Sequence, residues 1–97
     1  MSYEIQYEKK VLKFFKKLAK TSPKDFLTID IFISESLANA ENPCTLPNAK
    51  KLKGFKDNRW RWRLGDYRII GIVINGQACV IEIIKIAKRD DSTYKGL

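Results

Sequence analysis

The stretch Arg59-Trp60-Arg61-Trp62-Arg63-Leu64 alternates arginine with a large apolar residue over its whole length. In a β-strand successive side chains point to opposite faces, so three guanidinium groups share one face while Trp60, Trp62 and Leu64 share the other. A helix would spread both sets around its circumference. The pattern therefore calls for a sheet with one face turned to a core and one face turned to water or to something anionic.

The rest of the chain supplies the layer that covers the tryptophans. Tyr3, Ile5 and Tyr7 alternate with Glu4 and Gln6 and predict a short first strand. From Glu8 the period changes: Val11, Phe14, Phe15 and Leu18 fall at i, i+3, i+4 and i+7, an amphipathic helix with Lys9, Lys10, Lys13, Lys16, Lys17 and Lys20 around it. Those lysines are either a solvated face or an aid to holding nucleic acid. Ser22 as N-cap, Pro23 at the first helical position and Asp25 in the first turn start a second helix running to about Asn39. Its inward residues are Phe26, Ile29, Ile33 and Leu37, with Ile31 and Phe32 widening the apolar face.

Asn42 to Asn48 holds two prolines and reads as a loop, and Gly54 marks a turn among Lys50, Lys51, Lys53 and Lys56. Gly65-Asp66 turns the chain out of the arginine strand. Tyr67 to Ile74 is nearly all apolar, as in a central strand, and Asn75-Gly76 is a strong hairpin signal before a last strand from Ala78 to Ala87. The expectation is one α+β domain over residues 1–97: an N-terminal strand, a helical hairpin, then a three-stranded antiparallel meander with both helices on one face.

The 97 residues, 44% hydrophobic and 11% aromatic, are enough for one core. Net charge is +8, from 19 Lys and Arg against 11 Asp and Glu, which favours a polyanionic partner. No apolar run reaches the ~20 residues of a membrane span, and the opening MSYEIQYEKK is no secretory signal, so a cytoplasmic setting is expected. Cys44 and Cys79 lack metal-type spacing and read as reduced structural thiols. No metal or cofactor is expected. The chain has no histidine, which excludes Ser-His-Asp, Cys-His and two-histidine ribonuclease mechanisms. Acid–base work would fall to carboxylates, tyrosine or lysine, with arginine supplying charge.

Arg59, Arg61 and Arg63, joined by Arg68 on the neighbouring strand, would form a phosphate-binding bed of four groups, because arginine presents a planar fork of donors that keeps its proton. Leu52-Lys53-Gly54, then Trp60-Arg61-Trp62-Arg63-Leu64-Gly65-Asp66-Tyr67-Arg68-Ile69-Ile70, then Lys88-Arg89 with Tyr94, resembles the RelE/ParE superfamily of toxins from toxin–antitoxin systems. The likeness spans almost the whole chain and is most specific from Leu52 to Tyr94. It implies the α+β fold above and, for RelE-type members, ribosome-dependent cleavage of mRNA in the A site by 2′-hydroxyl attack on the adjacent phosphate. It implies catalytic roles for Arg61, Arg63, Arg68, Arg89 and Tyr94, with Lys51, Lys53, Arg59 and Lys88 as further RNA-binding groups. Arginine at positions 61 and 63, where lysine also occurs in the family, would stabilise the phosphorane without moving a proton. Proton transfer would fall to Tyr94, to Lys53 or Lys88, or to ribosomal groups. A cognate antitoxin, the ribosome and mRNA are the implied partners. Two other readings fit the same scaffold: a ParE-like gyrase inhibitor without its own catalysis, and a non-catalytic RNA-binding module.

Overall fold

The computed structural model describes residues 3–75 and 79–88. In chain order they form β1 (Glu4–Tyr7), α1 (Lys9–Thr21), α2 (Pro23–Ile31) running on as a π-helical segment (Phe32–Leu37), a 3-10 turn (Pro43–Thr45), β2 (Ala49–Lys51), β3 (Arg59–Leu64), β4 (Tyr67–Asn75) and β5 (Cys79–Lys88). The strands make one sheet in the order β1-β5-β4-β3-β2. β2 to β5 are antiparallel neighbours and β1 lies parallel to β5. This is the expected α+β architecture, with both helices on one face.

The meander has four strands rather than three. Ala49–Lys51 is too short to show alternation, so its pairing with β3 is visible only in the fold. Hydrogen bonds flank it at both ends, Leu52 N–H to the Arg59 carbonyl (3.0 Å) and Arg63 N–H to the Asn48 carbonyl (3.1 Å).

On the helix side, α1 buries Val11, Phe15 and Leu18 as its periodicity predicts. Tyr7, Phe15 and Phe26 form a chain of edge-to-face rings with centroids 5.6 and 5.5 Å apart, tying β1, α1 and α2 together. The second helix departs from expectation. Ser22 is the N-cap but makes no side-chain capping bond, and Ile31 is 51% exposed rather than part of the inward face. From Phe32 the helix widens, with Ala38 N–H reaching back five residues to the Ile33 carbonyl (2.9 Å). Ile29, Ile33 and Leu37 are all buried. In an unbroken α-helix that i, i+4, i+8 set drifts about 40° per step around the axis. The wider turn reduces the drift and keeps all three on the sheet.

Candidate nucleic-acid interface

The parity of β3 is fixed by its tryptophans. Trp62 is fully buried and its indole N–H donates to the Pro43 carbonyl (3.0 Å); the Trp60 indole donates to Asn58 Oδ1 (2.9 Å). Both rings, with Leu64, pack into or against the core under the helices. Arg61 and Arg63 therefore lie on the sheet face turned away from the helices, Arg63 exposed and Arg61 half-buried.

The turn into β4 preserves this parity. Leu64 pairs with Tyr67 across the two-residue turn Gly65-Asp66, and Gly65 adopts φ 57°, the positive value found at the first central position of tight hairpins. Arg63 then pairs directly with Arg68, and Arg61 with Ile70. The first register shift comes only after Ile70, so Arg68 shares the face of Arg61 and Arg63. Directly opposed like charges destabilise a sheet. The opposition is sharpened by Arg68 Nε, which is buried without a hydrogen-bond partner among the described residues. Among those residues none forms an ion pair with Arg61, Arg63 or Arg68. Asn48 braces this end of β3 by donating from Nδ2 to the Arg63 carbonyl (2.8 Å). Pro47, Asn48, Ala49, Arg61, Arg63 and Gly65 line an open cleft of about 540 Å³ beside it.

Other cations expected at the site lie elsewhere. Arg59 is engaged by Asp57, at 2.7 and 3.0 Å from Nε, and stacks 4.4 Å above the Phe55 ring, so its charge is already compensated. Lys51 pairs with Trp60 and takes the tryptophan side; Lys50, paired with Arg61, takes the arginine side. Lys53 follows the Leu52–Arg59 hydrogen bond, at the end of β3 away from Arg63. Lys88 pairs with Tyr67 and lines a cleft on the helix side with Asp25, Thr28 and Asp66. Alternation explains Lys51 and Lys88, since a neighbouring residue in a strand faces the other way. Arg89 and Tyr94 lie outside the described residues.

Tyr67 has a role the sequence did not reveal. Its hydroxyl donates to Asp25 Oδ2 (2.8 Å), linking α2 to the start of β4 directly beside Arg68. Burial, that hydrogen bond, and the charges of Asp25 and Asp66 push its pKa up to about 12. Tyr67 thus holds its proton and positions structure. The sign available in the sequence was a tyrosine whose alternation with Arg68 turns it toward the helices.

The site offers fixed positive charge and forked donors, suited to binding a phosphodiester and to stabilising added negative charge on it. Among the described residues no cluster of Cys, Asp or Glu is arranged to hold a metal ion.

No protein-family model and no curated protein matches the sequence. Solved structures do match the fold. A chain of the RelBE2 toxin–antitoxin complex from Mycobacterium tuberculosis superposes with a TM-score of 0.71 at 16% identity, covering 92% of this chain and 100% of that one. The YoeB/ParE toxin from Agrobacterium tumefaciens gives a TM-score of 0.65 at 16% identity, covering 90% and 99%. With two helices on one face of a five-stranded sheet and a basic strand on the other, the chain has the fold of the RelE/ParE toxins.

Proposed function

We propose that this protein is the toxin of a toxin–antitoxin pair and acts as a ribosome-dependent endoribonuclease on mRNA in the A site. The observation that carries the reading is the grouping of Arg61, Arg63 and Arg68 on the face away from the helices with no ion-pair partner among the described residues. A fold gains nothing from three uncompensated guanidinium groups at one place, two of them directly opposed. A phosphodiester on that face would compensate them.

In the proposed reaction the 2′-hydroxyl of the message attacks the adjacent phosphorus. A bond forms from O2′ to phosphorus, the bond to the 5′-oxygen of the next nucleotide breaks, and the products carry a 2′,3′-cyclic phosphate and a 5′-hydroxyl. Arg61, Arg63 and Arg68 stabilise the extra charge on the phosphorane. Arginine stays protonated throughout, so it does not exchange the two protons. That role is proposed for Tyr94 or for ribosomal groups, with Arg89 as a further source of positive charge. Lys53 and Lys88 are poorly sited for it, one at the far end of β3 and the other on the helix side. The antitoxin is the partner that would neutralise the basic surface, and translating ribosomes place the activity in the cytoplasm.

Mapping of 5′ ends on a message in a purified translation system tests the reading. Discrete A-site cuts that require ribosomes are expected from the wild type. An intact message, together with gyrase-dependent DNA breakage in a parallel assay, would replace this reading with the ParE-like one.

A further inference from the structure

The backbone of Arg63 is held by a residue that lies outside any strand. Its N–H donates to the Asn48 carbonyl (3.1 Å), and its carbonyl accepts from Asn48 Nδ2 (2.8 Å). β2 begins one residue later, with Ala49 opposite Trp62, so Asn48 continues the β2–β3 ladder past the end of β2. In a regular antiparallel ladder the second bond would come from the main-chain N–H. Here the side-chain amide supplies it.

This arrangement decides how Arg63 meets Arg68. Both backbone groups of Arg63 turn to Asn48, so toward β4 the two arginines form a non-hydrogen-bonded pair. Side chains lie closest in pairs of that kind, and like charges opposed there repel. No backbone bond between the two arginines offsets the repulsion. The Asn48 bonds hold Arg63 in the sheet from the other side, one residue before β3 ends at Leu64.

The far end of β3 carries the same device. Val73 N–H donates to the Asn58 carbonyl (2.9 Å), and Asn58 Nδ2 donates to the Val73 carbonyl (3.3 Å). Asn58 Oδ1 also accepts from the Trp60 indole (2.9 Å). The residue clamped there is buried and apolar and pairs with Ile81. Two asparagines thus complete the sheet in the same way, one beside core residues and one beside opposed arginines.

We propose that Asn48 is a positioning residue, whose main-chain carbonyl and side-chain amide together hold Arg63 opposite Arg68 so that both guanidinium groups bear on one phosphate. The proposal rests on the cleavage of mRNA inferred above and adds the residue that sets its geometry. Asn48 acts through Arg63; Asn58 serves the fold alone.

Single-turnover cleavage on programmed ribosomes, with toxin concentration varied, separates the maximal rate from the half-saturating concentration. Asn48→Ala should lower the maximal rate about 10-fold or more, as a small misplacement of a charge-stabilising group does, and leave half-saturation within about twofold. Hydrogen exchange at the Arg63 amide should quicken in the same variant. Asn58→Ala, which loses two side-chain bonds, should be the less stable of the two in urea yet cleave at the wild-type rate. Urea unfolding also confirms that both variants are folded. An undiminished rate in Asn48→Ala overturns the proposal, and so does an equal loss in both variants, which would mean that sheet integrity alone matters. A wild type that leaves the message intact removes the nuclease reading and the proposal with it.

Discussion

Arg68 carries the sharpest conflict between stability and use. It faces Arg63 across the β3–β4 ladder, and its buried Nε has no partner among the described residues. Methionine keeps most of the aliphatic stem and removes both the opposed charge and the unpaired donor. Arg68→Met should therefore raise unfolding stability by about 1 kcal/mol in urea denaturation. Loss of stability would mean that the guanidinium is structural. Tyr67 makes the opposite kind of prediction. Its pKa is raised to about 12 in the folded chain, so its contribution is whole below the ordinary tyrosine value and is lost as pH climbs toward 12. Over that window the unfolded state binds fewer protons than the folded one, so stability falls with rising pH, by up to roughly 2–3 kcal/mol. The stability gap between wild type and Tyr67→Phe should accordingly narrow between pH 10 and pH 12 in denaturant titrations. A constant gap would show that the Asp25 contact contributes nothing specific. Arg61, Arg63 and Arg68 were legible as a group because alternation and a tight turn fix their parity. The compensation of Arg59 by Asp57 and Phe55 was not, since either role suits an arginine at a strand end.

At the scale of elements, the close approach of β3, β4 and β5 is set by Gly71. A Cβ there would sit 3.1 Å from the Glu82 carbonyl oxygen and 3.2 Å from the Trp62 ring. Neither neighbour yields easily, one being backbone beside the β5 bulge at Ile84 and the other a buried indole. Gly71→Ala should cost about 1–3 kcal/mol in thermal or urea unfolding, and a neutral result would mean that the bulge region relaxes freely. The helices and the three long strands were readable, α1 and β3 from their periods, α2 from its starting signals and length, and β4 and β5 from apolar runs bounded by turn signals. Three features were not. β2 is too short to show alternation, the π-helical segment differs from α-helix only in where its hydrogen bonds close, and the bulge at Ile84 shifts parity without any glycine or proline to mark it.

For the whole molecule, the net charge of +8 is spread unevenly. α1 carries its lysines on the helix side, and the face away from the helices gathers its cations toward the β3–β4 turn. The aromatic and branched side chains of the core hold those cations in register from behind. The most direct measurement is single-turnover cleavage on programmed ribosomes, comparing an ordinary message with one carrying a single 2′-deoxynucleotide at the expected cut, and wild type with Arg68→Met. The ordinary message should be cut, the deoxy position should not, and the folded variant should lose about 100-fold or more in rate, comparable to removing an electrostatic transition-state contact. Cleavage at the deoxy position, or an undiminished rate in Arg68→Met, would contradict the proposed mechanism.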